Sequence, residues 1–464
     1  MLKRRNYLGL LGVGIGFWTL SAGFSIHETV SDPVTLQDLS AFNEPGKSWQ
    51  TAGNVYSGIS GKNELTVSGG SGILVNNPSR RVKGEDLFTK AELGDIELEL
   101  DYLLPNQGNS GIYLQGRYEV QLSDSWEENQ ITSASNGGIY NVVPPRVNAS
   151  RAPGLWQNLK IGFQAPRFDA SGNKTENARL LYVLLNGVLV QENVELAGPT
   201  QGAVSNDEVA KAPLRIQGDH GAVAFRNIVI NELDNKAESN NNNRYAKDPI
   251  LLDAPVTTIL RSFMNLDNRE KAVHAVSVGS PQGVHYTYDM DYGALVQVWR
   301  GDFLDTTPMW DGRGNGTSTP RGAVQRFGKP VLSLAKLDDN QSTWPVDTAG
   351  TQFRQKGYAV NANNQPTFKY LIYGTEVEDF IQAKNDGTGF NRTIRVADAD
   401  GLSLRLASAS KIEETSRGSY IIGDKEYYLN LDNAKSNKPF IRDVDGGQEL
   451  IVPVRGEISY TILF

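Results

Sequence analysis

Arg117, Glu119 and Gln121 stand at alternate positions of the run Arg117-Tyr-Glu-Val-Gln-Leu122, with Asn109-Ser-Gly111 before it and Asp124 just after. In an extended strand such residues share one face. A guanidinium, a carboxylate and a carboxamide side by side are planar groups that can each engage two hydroxyls, which is what a sugar presents. The same alternation also describes the solvated outer face of a sandwich. A second candidate is Gln217-Gly-Asp-His-Gly221, which sets an imidazole beside a carboxylate in a glycine-flanked turn. That pairing suits proton transfer, and it equally suits a turn histidine with a structural hydrogen bond. Only His220, His274 and His285 lie outside the N-terminal region, so imidazole bases are few. Trp126 and Trp156 could stack on sugar rings, although a tryptophan in a sandwich is more often core.

Several chemistries are excluded. The 464 residues contain no cysteine, which removes disulfides, thiolate metal sites, cysteine nucleophiles and covalently attached haem. Neither a G-x-S-x-G nor an H-E-x-x-H motif occurs. Asp398-Ala-Asp-Gly401 and Asp443-Val-Asp-Gly446 lack the remaining ligands of a calcium loop and read as hairpin turns. Gly312-Arg-Gly-Asn-Gly316 lacks the Gly-Lys-Ser/Thr of a phosphate loop. A net charge of −8 argues against a general nucleic-acid partner, which needs a basic stripe.

The elements that must position these residues are strands. The 47 glycines and 20 prolines follow no fixed period, so the chain turns often, and sustained helical periodicity is missing. Ile96-Glu-Leu-Glu-Leu-Asp-Tyr102 alternates as a half-buried strand. Leu180–Leu185 runs into the hairpin dipeptide Asn186-Gly187, and Val223–Ile230 closes the first block. Further strands are expected at 286–289, 295–300, 368–373, 377–382, 402–407 and 458–464. The fold class is therefore all-β, with two β-sandwiches in series. The polar, asparagine-rich stretch 236–249 reads as a linker between blocks at 31–235 and 250–464.

Lys3, Arg4 and Arg5 precede an apolar stretch from Tyr7 to Phe24. This is the pattern of an export signal, residues 1–23, or of an uncleaved anchor. It predicts an exported protein of the periplasm or cell envelope, touching membrane only through that segment if it is retained.

The run Gly108-Asn-Ser-Gly-Ile-Tyr-Leu-Gln-Gly-Arg-Tyr-Glu-Val-Gln-Leu-Ser-Asp124 resembles the 3-keto-disaccharide hydrolase domain family. So do Gly137-Gly-Ile-Tyr140, Pro145-Arg-Val-Asn-Ala-Ser150, Ala152-Pro-Gly-Leu-Trp156, Leu214-Arg-Ile-Gln-Gly-Asp-His-Gly221 and Val223-Ala-Phe-Arg-Asn-Ile228. The resemblance spans about residues 31–234. It implies a concanavalin A-like jelly roll that cleaves glycosides carrying a C3 ketone. That ketone acidifies the C2 proton; a base removes it, and the C1 substituent then leaves or is replaced by water. Carried onto this chain, the resemblance implies Glu119 or His220 as base and acid and Arg117 against the enolate. Asn109, Gln121, Asp124, Tyr140, Trp156, Gln217 and Arg226 would hold the sugar. No cofactor is certain; a divalent cation on Glu119, Asp124 or His220 is compatible with it. The carbohydrate substrate would come from a separate sugar 3-dehydrogenase or a cytochrome partner. The family's usual Gly-Glu-Trp reads Gly154-Leu-Trp156 here, which bears on activity if that glutamate takes part in chemistry. More loosely, the second block resembles β-sandwich segments of exported bacterial proteins, and Trp299, Arg300, Trp310 and Arg313 are candidates for a second sugar or partner site.

Overall fold

The computed structural model describes residues 39–233, 248–266, 270–311 and 316–464. Most of the N-terminal segment and of the asparagine-rich linker lies outside the described residues, as does Arg313. Among the described residues no helix is long and apolar enough to cross a membrane. The described chain is built of strands, with two one-turn helices at Thr307–Asp311 and Ala434–Asn437.

The first block is a sandwich of two antiparallel sheets. One has five strands in the order Phe42–Asn43, Leu87–Leu93, Ala212–Ile216, Asn109–Leu114, Tyr118–Ser123. The other has seven, in the order Val188–Leu196, Ala178–Leu185, Trp156–Gln164, Ile96–Leu103, Val223–Glu232, Thr66–Asn76, Trp49–Tyr56. Neighbours in space are rarely neighbours in sequence, as a jelly roll requires. Alternation fills the space between the sheets: Leu98, Leu100 and Tyr102 meet Ile112, Leu114, Tyr118, Val120 and Leu122 in one core. The hairpin expected at Asn186-Gly187 is present, with both residues at positive φ, 51° and 78°, as a two-residue turn of matching twist demands.

The second block also packs sheet on sheet. A six-stranded sheet is built around Lys271–Gly279, Val284–Asp289 and Ala294–Asp305, and an eight-stranded sheet runs from Arg354–Val360 to Ile412–Ser416. A four-stranded sheet contains Leu402–Ala409 and Gly447–Pro453. All three contribute to a single core. Inside it, Arg392 and Asp379 form a two-bonded ion pair at 2.6 and 3.0 Å, to which Tyr288 and Tyr460 add their hydroxyls. Paired and hydrogen-bonded in this way, buried charges become tolerable.

The two blocks are fastened together. Trp126 Nε1 donates to the carbonyl of Phe464 at 2.9 Å, and Arg300 Nη1 donates to the Trp126 carbonyl at 2.7 Å. Tyr428 Oη donates to Pro153 O at 2.8 Å, and Lys425 Nζ to Asn54 Oδ1 at 2.9 Å. Around these bonds Trp126, Ala152, Leu155, Ile421, Tyr428 and Leu463 form an apolar cluster of their own. Trp126 is thus a joint between blocks and presents no face for a sugar. The proposed grouping of Trp299, Arg300 and Trp310 also fails to form. Trp299 is fully buried, Arg300 spends its guanidinium on backbone carbonyls at the joint, and Trp310 stands exposed.

Candidate active site

The five-stranded sheet places the chemistry. Because Tyr118, Val120 and Leu122 point into the core, Glu119 and Gln121 occupy the outer face. On the neighbouring strand Tyr113 pairs with Glu119 and Gly111 pairs with Gln121; one strand further, Arg215 pairs with Tyr113. Across three strands the outer face therefore reads Glu119, Tyr113, Arg215. The Arg215 guanidinium lies 3.6 Å from the centre of the Tyr113 ring, and its Nε sits 3.2 Å from Asp86 Oδ2. Glu119 leans diagonally toward Gly111, so closely that a Cβ on residue 111 would sit 2.2 Å from its Oε1. Glycine here is what lets the carboxyl lie flat on the sheet.

This face is covered. Glu119 is only 2% exposed, and its Oε2 has no hydrogen-bond partner. Loops close over the sheet edge: Thr200 Oγ1 accepts the Glu119 N–H at 3.0 Å, and the Tyr140 N–H donates to Glu119 O at 3.3 Å. Burial pushes the Glu119 carboxyl up to about 7, against the lowering influence of Tyr113 and of the positive charges of Arg215 and His220. A carboxyl poised near neutrality can both accept and return a proton.

Behind this row stands the Gln217–Gly221 turn. Asn76 Nδ2 donates to the carbonyls of Gly218 and Gly221, both at 2.7 Å, and Asp86 Oδ1 accepts the Gly218 N–H at 3.0 Å. Asp86 thereby ties the turn to Arg215. Gly221 lies at φ 145°, a conformation side chains avoid, and Gly218 is pressed against the backbone of Glu85. So held, the turn presents His220, whose Nδ1 is 2.5 Å from Asp219 Oδ1, half-exposed and within electrostatic reach of Glu119. Gln217 continues the ladder, its N–H donating to Gly111 O at 2.9 Å, so its side chain falls on the Arg215 side.

The structure thus brings Glu119, His220, Gln217, Gln121 and Asn109 to one sheet face; Gln121 Nε2 donates to Asn109 Oδ1 at 2.7 Å. Tyr140 joins them through its backbone. Other expected members lie elsewhere. Arg117 is buried, with Nε donating to Asp207 O and Nη1 to Gln115 O, so it pins a loop and cannot meet an enolate. Asp124 accepts the N–H groups of Gln107 and Trp126 at the end of the strand, where burial raises its carboxyl. Trp156 and Arg226 belong to the seven-stranded sheet, where the Arg226 guanidinium lies 4.1 Å over the Trp156 ring and also pairs with Asp424 of the second block. They are interface residues. Glu119, Asp124 and His220 do not come together, and no group of three histidine or carboxylate side chains able to hold a metal occurs among the described residues. The arginine of the site is Arg215, with Tyr113 and Asp86. The available sequence signal was Arg215 standing two residues before Gln217 in the QGDHG strand.

Comparison with known families bears on the first block. Residues 37–231 match the family model of the 3-keto-alpha-glucoside-1,2-lyase-like domain. The match lies within the first block and includes no part of the second. No curated protein matches the chain. Among solved structures, one from Parabacteroides distasonis, named provisionally as a glycosyl hydrolase, is 29% identical; the match covers 44% of this chain and 84% of that one, at a TM-score of 0.34. A second, similarly named and from the same organism, is 20% identical over 44% of this chain and 98% of its own, at a TM-score of 0.30. The residues matched by the family model include the strands that carry Glu119, Tyr113 and Arg215.

Proposed function

We propose that the lyase-like domain cleaves 3-keto glycosides outside the cytoplasm, on substrate delivered by a separate sugar 3-dehydrogenase. The observation that carries this reading is the Glu119 carboxyl, buried and titrating near 7 beside Tyr113, Arg215 and the His220–Asp219 pair. Once the loops at Thr200 and Tyr140 move off the sheet edge, Glu119 takes the C2 proton, and the C–H electron pair passes into the C3 carbonyl, giving an enolate. The positive charge of Arg215, set across Tyr113 from the base, favours that negative oxygen. The pair then returns to form C1=C2 as the C1–O bond breaks, and the departing alkoxide takes a proton from His220. Addition of water across C1=C2 completes hydrolysis; its omission leaves the elimination product. Asn109, Gln121 and Gln217 supply amides for the ring hydroxyls.

The test is incubation of the purified chain and of Glu119→Gln with a 3-keto disaccharide and its unoxidised parent, with and without EDTA. Release of free sugar from the keto form alone, lost in Glu119→Gln, is the expected result. Loss with EDTA would add a bound metal to the scheme. No cleavage of either compound would overturn the enzyme reading and leave a carbohydrate-binding protein on the same face.

A further inference from the structure

The second block opens a cleft where its two large sheets part. One wall is the edge strand Thr258–Asn265 of the six-stranded sheet, and the other is the edge strand Arg354–Val360 of the eight-stranded sheet. Asn364 Nδ2 donating to Thr257 O at 3.0 Å links the two walls. The cleft measures about 490 Å³ and is lined by Arg261, His274, Met290, Asp291, Gln355 and Tyr358. That volume lies within the range of small-ligand sites.

Its chemistry is specific. His274 Nδ1 lies 2.8 and 3.0 Å from the two oxygens of Asp291, which fixes the imidazole and leaves Nε2 outward. The hairpin turn that carries Asp291 is itself braced: its N–H donates to Asp289 Oδ1 at 2.7 Å, and the Met290 N–H donates to His274 O at 3.1 Å. Gln355 braces the floor of the cleft at both ends of its amide, with Nε2 3.0 Å from the Met290 sulfur and Oε1 accepting the Gly357 N–H. Arg261 is exposed. Tyr358 is held edge-on against Phe368 and half-exposed, an aromatic surface fixed in place. A guanidinium and a carboxylate, each planar and able to engage paired hydroxyls, stand beside one aromatic ring. Arg261 and Asp291 carry opposite charges, which favours an uncharged ligand over an anion or a cation.

We propose that this cleft is a second carbohydrate site, binding a neutral mono- or disaccharide without cleaving it, in a block to which no role attaches. It rests on no part of the lyase reading. The test is saturation-transfer difference NMR with trehalose as probe, on the full chain and on Arg261→Ala, Asp291→Ala, Tyr358→Ala and Glu119→Gln. Arg261 and Asp291 are exposed and Tyr358 is half-exposed against Phe368, so melting temperatures are measured alongside, and the two exposed variants carry the test if Tyr358→Ala loosens the fold. The expected result is a trehalose signal that falls several-fold in each cleft variant and survives in Glu119→Gln. A signal unchanged in all three cleft variants, or absent from the full chain, overturns the proposal. So does binding of inorganic phosphate alone, seen by ³¹P line broadening and lost in Arg261→Ala, which would make the cleft an anion site. Failure of the cleavage assay with trehalose binding intact would sink the lyase reading and leave this one standing.

Discussion

Replacing Glu119 by glutamine separates what this residue does for chemistry from what it costs the fold. Burial raises its carboxyl from 4.5 to about 7. A raised carboxyl is protonated in the folded chain over a pH range in which the unfolded chain has already lost the proton. Stability contributed by this group is therefore complete below about 4.5, declines as pH rises toward 7, and stays low above it. At 1.36 kcal/mol per pH unit the full penalty is about 3 kcal/mol. Glu119→Gln keeps the shape and removes the charge, so it should match the parent near pH 4.5 and exceed it by about 3 kcal/mol at pH 8. For the 464-residue chain melting as one unit, at about 2.1 cal/mol/K per residue, that is an increase in Tm of about 3 °C. The assay is calorimetric melting of both proteins between pH 4.5 and 8.5, with the difference plotted against pH. A difference that does not grow with pH, or a glutamine variant less stable at pH 8, would refute the reasoning that this carboxylate is held charged against its environment.

The remaining predictions concern the same face and the joint behind it. On a 3-keto glycoside, kcat/KM should rise with pH through an inflection near 7, and Glu119→Gln should lower it by about 10²–10⁴-fold, the usual worth of a positioned base; a flat profile between pH 5.5 and 8.5 would count against Glu119 as the base. Gly111→Ala should cost activity tenfold or more and lower Tm as well, because the new Cβ would sit 2.2 Å from Oε1 and 3.0 and 3.1 Å from Cδ and Cγ of the buried Glu119 side chain; full activity in that variant would show that the carboxyl need not lie over residue 111. Arg215→Gln should move the kinetic inflection upward, since its charge holds Glu119 lower than burial alone would; pH profiles of the two proteins decide this. Tyr428→Phe removes the 2.8 Å bond to Pro153 O and should cost about 1 kcal/mol in denaturant unfolding.

Local pattern revealed as much of the site as one strand can carry. Alternation in 117–122 put Glu119 and Gln121 on one face, and they share it. It also put Arg117 there by parity, yet Arg117 precedes the strand proper, which begins at Tyr118, and its side chain turns back to Gln115 O and Asp207 O. The arginine that does stand on this face, Arg215, comes from a strand some hundred residues away in sequence. Its place beside Tyr113 is set by the strand order of the sheet, which no periodicity encodes. Trp156 and Arg226 failed for the same reason: a family motif says that residues matter without saying which of two sheets holds them. Gly111 carried a readable hint, a glycine inside a strand, whose meaning required knowing what leaned over it.

The family departure at Gly154-Leu-Trp156 acquires a physical cause from the joint. Leu155 is fully buried, packed with Trp126, Ile421, Tyr428 and Leu463, so three of its neighbours belong to the second block. The following Trp156 hands its N–H to Lys425 O. A leucine suits this position because the second sandwich is docked on it, and it lies off the sheet face that carries Glu119. Restoring the family residue tests this directly. Leu155→Glu forfeits about 2 kcal/mol of apolar burial and buries a polar group without a partner at about 1–3 kcal/mol more. The variant should lose about 3 kcal/mol or more of stability and unfold in two separated transitions where the parent shows one. A single transition at the parent's Tm would mean that position 155 is not at a working interface. Cleavage activity in the parent chain, which carries leucine at 155, would show in addition that the chemistry needs no glutamate there.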